Sequence, residues 1–218
     1  MQPDYLSLLP VFGTTRHIVP LFQRPYVWER EKNWEPLWQD IEDLCNRLLD
    51  GFASTGRADA AEGYAQQIPV RIIGKVLGVP EEMSDVFTGW VRDILEFAND
   101  IPRRQAAVRA VVAYFMGEME KRRGSDAPDL ISTLLRSEVD GAPVPDPHVL
   151  GTVALTLIAG VDTTWSAIGS SMWHLATHPE DRRRLVNEPD LWPTAIEELL
   201  RAYSPVTMAR IVVEDVEF

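Results

Sequence analysis

The sequence predicts a mainly α-helical chain organised around one long central helix. Three observations carry that expectation. The stretch from His148 to His178 contains no proline, Asp146 can cap it, Pro147 suits a first helical position and Pro179 closes it. A helix of that extent is about 45 Å long at 1.5 Å per residue. Between Val149 and Trp173 the only charged residue is Asp162. Elsewhere, apolar residues recur at spacings of three and four between glycine and proline stops, the period of amphipathic helices.

Residues 1–32 depart from this pattern. Prolines at 3, 10, 20 and 25 interrupt short apolar runs, and His17–Trp28 reads as an extended arm packed by Tyr26 and Trp28. Asn33 then caps a helix with Pro36 in its first turn. Leu37, Ile41, Leu44 and Leu48 form its stripe, Gly51 ends it, and Cys45 within it reads as a small buried hydrophobe. Helical segments follow at Asp59–Gln67 and Pro69–Leu77, with Gly78 as the stop. Val79-Pro80-Glu81-Glu82 opens the next, which should turn Phe87, Trp90, Val91, Ile94 and Leu95 inward.

A further helix is expected over Pro102–Arg123, its Lys121-Arg122-Arg123 end reading as a solvated C-terminus. Asp129–Arg136 forms a short helix, and Asp140-Gly141 marks a hairpin in the connector from Glu138 to Pro147. After the long helix come a short one over Pro179–Val186 and another from about Pro193 that carries Glu198 and Arg201. Ile211–Val213 reads as a strand.

Composition narrows the function classes. A formal charge of −12 argues against a broad nucleic-acid surface. One cysteine excludes an internal disulfide framework and fits a reducing compartment. The N-terminus lacks a basic region followed by an apolar run, so a cytoplasmic location is expected. The central low-charge window is long enough to span a bilayer. Asp162 at its centre would cost roughly 2.5–3.5 kcal/mol there, so a helix buried in a soluble protein is the expectation.

That leaves Asp162 needing a partner, a proton or a task. Ala159 and Thr163 stand four residues apart, and Gly160 and Thr163 three, spacings that share a helix face. Small residues let a large flat group approach the backbone, and the neighbouring carboxyl and hydroxyl can pass a proton. The alternative is a core helix whose threonine hydroxyls bond back to carbonyls one turn earlier. His174 and His178, at i and i+4, could grip a metal, but no Glu of a His-Glu-x-x-His site and no third ligand accompany them; no metal site is assigned.

The ordered set Ala159-Gly160-x-Asp162-Thr163-Thr164, Glu198-x-x-Arg201, Ser204-Pro205-Val206 and Arg210 resembles the middle of a bacterial cytochrome P-450, a haem-thiolate monooxygenase. Leu44–Gly51 and Gly56–Ala60 extend the resemblance, which covers about 43–218. It implies a partial cytochrome P-450 fold behind a short irregular N-terminal arm. It also implies haem, a small organic substrate and a ferredoxin-type electron donor. On that resemblance Ala159 and Gly160 make room for dioxygen, Thr163 supplies the hydroxyl facing it, and Asp162 relays protons. Glu198 and Arg201 form a structural ion pair, Arg210 pairs with a haem propionate, and Val206 and Met208 line the substrate pocket. The family's thiolate ligand sits in a glycine-rich loop with no counterpart here, so the expectation is a chain inactive by itself.

Residues 1–42 resemble a second family. Ile18-Val-Pro-Leu-Phe-Gln-Arg-Pro-Tyr-Val-Trp28, with Trp34 and Leu37–Ile41, is similar to the front of the ParB-like domain of GmrSD-type restriction enzymes. Gln23 and Arg24 are the matched polar residues. That domain's later Asp-Gly-Gln-Gln-Arg motif is absent, since Asp50-Gly51 is followed by Phe52-Ala53. The expected division is therefore 1–42 and 43–218. Two further readings stay open: a component of a restriction-type nucleic-acid system, and a non-catalytic helical interaction protein.

Overall fold

The computed structural model describes residues 35–97 and 99–206. The N-terminal arm with Gln23 and Arg24, the strand expected at 211–213, and Met208 and Arg210 lie outside the described residues. The chain divides into two compact units, 1–39 and 40–218. Of the first, the described residues are the start of helix α1 (Glu35–Ala53). Everything below concerns the second.

Within that unit α1 leads to a π-helical turn (Ala61–Ala65), then α2 (Gln67–Leu77), a 3-10 turn (Glu81–Met83), α3 (Ser84–Leu95) and α4 (Ile101–Lys121). The short α5 (Leu130–Arg136) and a two-stranded hairpin precede α6 (Asp146–Thr177). α7 (Pro179–Asn187), a 3-10 turn (Pro189–Leu191) and α8 (Trp192–Ala202) follow. The hairpin pairs β1 (Glu138–Val139) with β2 (Ala142–Pro143). Asp140 and Gly141 both have positive φ, 54° and 76°, as a tight type I′ turn requires.

The core lies among α2, α3, α4, α5 and α6. Phe87, Val91, Val111, Phe115 and Ile131 meet a stripe on α6 formed by Val149, Val153, Leu157, Val161 and Trp165. Those five recur every four residues, so a single side of α6 is buried. The sequence leads to the expectation of a buried helix, and the structure confines that burial to this side. Leu155 and Trp173 are well exposed, at 64% and 57%. By length and composition alone α6 could cross a membrane. Leu95, expected inward, is also exposed, because it stands one residue past Ile94 at the end of the α3 stripe.

Two charged features depart from their sequence readings. Asp146 does not cap α6; no side-chain hydrogen bond caps that end, and Asp146 pairs instead with Arg123. The basic end of α4 is not simply solvated. Arg122 is largely buried and reaches the carboxylate of buried Glu118, the carbonyl of Gly78 and, at 3.4 Å, Asp129. Lys121 also bonds Glu118, at 2.7 Å. Asp129 caps α5 through the Ser132 N–H and hydroxyl, both at 2.8 Å. One arginine thereby ties the ends of α2, α4 and α5 together. Gly78 makes this approach possible: its φ of 75° closes α2, and a Cβ there would collide with Asp129.

Candidate functional site

At 100° per residue, the positions around Ala159 point to different sides of α6. Val161 faces the core and is fully buried. Ala159 lies on the opposite side and is exposed, and Thr163 one turn later is half-buried. Gly160 occupies one flank, turned to α2, where a Cβ would stand 2.9 Å from Ile73 Cδ1. Asp162 occupies the other flank, where Glu96 at the end of α3 is the acidic neighbour that acts on it. Ala159 and Thr163 therefore share the open face with Leu155, while Gly160 lets α2 come close.

Thr163 Oγ1 donates to the Ala159 carbonyl at 2.8 Å. Thr152, Thr156 and Ser171 make the same backward bond, so this geometry is general along α6. With its hydrogen committed to the backbone, the Thr163 oxygen is left to accept on its open side. Burial raises the proton affinity of Asp162 and the charge of Glu96 adds to it, while a hydrogen bond with Trp165 opposes both. The net effect is a carboxyl above the ordinary carboxylate range, half-buried beside an accepting hydroxyl.

Glu198 and Arg201 meet on α8 through two hydrogen bonds of 2.7 and 2.6 Å. Both side chains are exposed. The Arg201 hydrogen bonds hold the Glu198 carboxyl below its ordinary range. Glu198 also lines a cavity of about 470 Å³ between the end of α6, α7 and α8. Val206 is exposed beyond α8, with Ser204 Oγ donating to its carbonyl at 3.0 Å. Arg210 and Met208 lie outside the described residues.

Residues 82–218 match the family model for cytochrome P450. The chain belongs to the cytochrome P450 family. It is 34% identical to a vitamin D(3) 25-hydroxylase of Pseudonocardia autotrophica, over 99% of this chain and 51% of that protein. It is 36% identical to a probable cytochrome P450 127A1 of Sinorhizobium fredii, over 96% and 49%. Among solved structures, P450BioI in complex with acyl carrier protein ligated to hexadec-9Z-enoic acid superposes with a TM-score of 0.76. It has 27% identity over 84% of this chain and 49% of that one. The polyketide-synthase cytochrome P450 PksS of Bacillus subtilis gives 0.73, with 29% identity over 79% and 45%. This cytochrome P450 chain thus spans about half the length of the curated relatives it matches.

The family is a haem family, and α6 is the element whose motif carried the resemblance. The single cysteine, Cys45, is on α1 and half-buried. It hydrogen-bonds Tyr64, whose phenol is pushed up to about 12, first by burial and then by this contact. Two polar arrangements escaped sequence reasoning. The Glu118–Arg122 pair has i, i+4 spacing, a usable signal that was hidden by reading Lys121–Arg123 as one solvated cluster. His174 bonds Tyr203 and Asp181, residues 29 and 7 positions away, and only folding brings the first of these near. No group of three or more His, Cys, Asp or Glu able to hold a metal ion occurs among the described residues.

Proposed function

We propose that this chain forms the oxygen-side wall of a haem-thiolate monooxygenase that hydroxylates a small organic substrate in the cytoplasm. It would draw electrons from a ferredoxin-type donor and act apart from membrane and nucleic acid. The observation that carries the reading is the open face of α6. There a methyl-sized side chain and a hydroxyl with free lone pairs stand one turn apart, and a carboxyl of raised proton affinity lies on the adjoining flank.

These residues fit one side of a haem. Ala159 leaves room on the open face, and Leu155 gives that face an apolar border. Cys45, engaged with Tyr64 on α1, is not assigned as an iron ligand. Bound haem would supply one-electron and dioxygen chemistry. The protein's own part is positioning and proton supply. Asp162 holds a proton on its carboxyl to higher pH than an ordinary aspartate does. Thr163 Oγ1, fixed by its bond to Ala159, presents an acceptor one residue away. Gly160 fixes the height of this stretch by seating it on Ile73. Val206 and Met208 would border the substrate, Arg210 would pair with a propionate, and Glu198–Arg201 would brace the end of α8.

Spectroscopy tests the reading. The 218-residue chain is reconstituted with haem, reduced and exposed to carbon monoxide, alone and together with the remaining half of the vitamin D(3) 25-hydroxylase relative. The expected result is a thiolate-type Soret band in the complemented sample and none from the chain alone. A thiolate band from the chain alone would make Cys45 the ligand. No band after complementation, with both halves folded by circular dichroism, would remove the monooxygenase reading.

A further inference from the structure

The pair His174 and His178 drew notice in the sequence, and the proposed oxygen-side wall leaves it without a task. In the structure its rings stack, with centroids 4.2 Å apart and planes inclined by 12°. Both nitrogens of His174 are engaged. Nε2 lies 3.0 Å from Asp181 Oδ2 on α7, and Nδ1 lies 2.8 Å from the Tyr203 hydroxyl just past α8. The Tyr203 ring also meets Trp173 edge-on at 6.0 Å. The imidazole is therefore the point where the last turn of α6, the first turn of α7 and the exit of α8 are joined.

Chemistry orders this chain of contacts. The Asp181 carboxylate accepts only, so Nε2 carries the hydrogen; a neutral imidazole then accepts at Nδ1, and the Tyr203 hydroxyl donates to it. Little else fastens this corner. α8 has no buried residue and α7 has only Leu185. The Tyr203 N–H is bonded within α8 to the Leu199 carbonyl at 2.9 Å, so the side chain is what reaches outside that helix. Ser204, Pro205 and Val206 follow at once. The other charged groups facing this corner are Arg184 of α7 and Glu198 of α8.

We infer that His174 is a positioning residue. Through Tyr203 it fixes where the segment beginning at Ser204 leaves α8 relative to α6, and through Asp181 it fixes its own ring. The inference rests on the monooxygenase reading, which makes that segment a wall of the substrate site. The distance from Asp162 is 12 residues, about 18 Å along the helix, so His174 touches no reacting atom.

The test is amide hydrogen exchange on the full 218-residue chain, with ¹⁵N spectroscopy of its imidazoles. The neutral imidazole of His174 should show the Nε2–H tautomer. Tyr203→Phe keeps the ring and removes one hydrogen bond. It should speed exchange at the Ala202 and Tyr203 amides about three- to tenfold, the worth of one such bond, while Val111 and Phe115 stay unchanged. His174→Phe should do the same, the double variant should be no worse than either single change, and His174→Gln should restore part of the protection. An Nδ1–H form would overturn the inference, as would additive effects or unchanged exchange in Tyr203→Phe. None of these readouts needs haem. A missing thiolate band with the exchange pattern intact would therefore remove the monooxygenase reading alone, and the reverse would remove only the role of His174.

Discussion

The bundle α2–α6 and the pair α7–α8 are held together by different physics. In the bundle, Phe87, Phe115, Leu157 and Val161 are buried to within 2% of completely, and non-directional apolar burial supplies the cohesion. In α7–α8 one leucine is buried, while Ile196 and Leu200 are exposed at 49% and 39%. There, directional contacts, His174 with Asp181 and Tyr203, fix the arrangement. The open face of α6 lies on the side away from the bundle core. A rigid backing and an open front are what a residue set needs if it is to hold a proton donor still while a ligand occupies the other side.

The largest effect should therefore come from the bundle. Phe115→Ala removes a fully buried ring and should lower stability by about 3–5 kcal/mol in urea unfolding followed by circular dichroism. Leu200→Ala on α8 should stay within about 0.5 kcal/mol. Equal losses would show that α8 shares the core and would break the comparison.

The polar anchor of the bundle comes next. Arg122→Ala leaves Glu118 buried without its closest partner and should cost about 3 kcal/mol. Burial alone would raise the Glu118 carboxyl, but hydrogen bonds from Lys121 and Arg122 outweigh it and hold the group below its ordinary range. A depressed carboxyl contributes stability above its unfolded pKa, and that contribution is lost as pH falls through the folded value. Glu118→Gln should therefore be less stable than the parent at neutral pH, and the gap should close in acid. A gap independent of pH would assign the role of Glu118 to packing.

The two regions also differ in how legible they were. The bounds of α6 followed from Pro147, Pro179 and the absence of proline between them, because backbone stops act locally. The Asp140-Gly141 turn was readable for the same reason. The one-sided burial of α6 was not: its residues are apolar all round, so periodicity does not select a face, and only the placement of α2–α5 does. For Gly160 the sequence offered small size but not its use, since the Ile73 that meets it is 87 residues away. The His174 contacts were illegible because they depend on how α7 and α8 fold back. The motif residues Asp162, Thr163, Glu198 and Arg201 were legible as a resemblance, whereas the flanks they occupy on α6 and α8 came from the structure.

Glycines along α6 sharpen the contrast at a smaller scale. Gly160→Ala would place its methyl 2.9 Å from Ile73 Cδ1 and 3.3 Å from Cγ1. The flexible end of that side chain can yield, for a loss of about 1 kcal/mol. At Gly169, nearer α7, the closest contact would be 3.8 Å, to Ala65. There alanine should gain about 0.5–1 kcal/mol from helix preference alone. Thermal melts of the two variants should move in opposite directions. A gain at both sites would mean that α2 and α6 are not in close contact at Gly160.

The smallest effect concerns Asp162, on the flank between bundle and open face. Burial raises its folded-state pKa, Glu96 raises it further, and the Trp165 hydrogen bond only partly opposes them. A raised carboxyl binds its proton more tightly when folded. Its favourable contribution is fully present below the unfolded pKa and is lost as pH rises through the folded value, above which the charged form is a burden on the fold. Asp162→Asn removes that burden and keeps an oxygen that can accept from Trp165. The variant should be slightly more stable than the parent at neutral pH, and the advantage should vanish as both are taken into acid. Glu96→Gln should shrink the advantage, because it removes one of the two groups of causes. If Asp162→Asn were instead less stable at neutral pH, the ionised carboxylate would be an asset to the fold. Asp162 would then be a poor proton carrier beside the open face of α6.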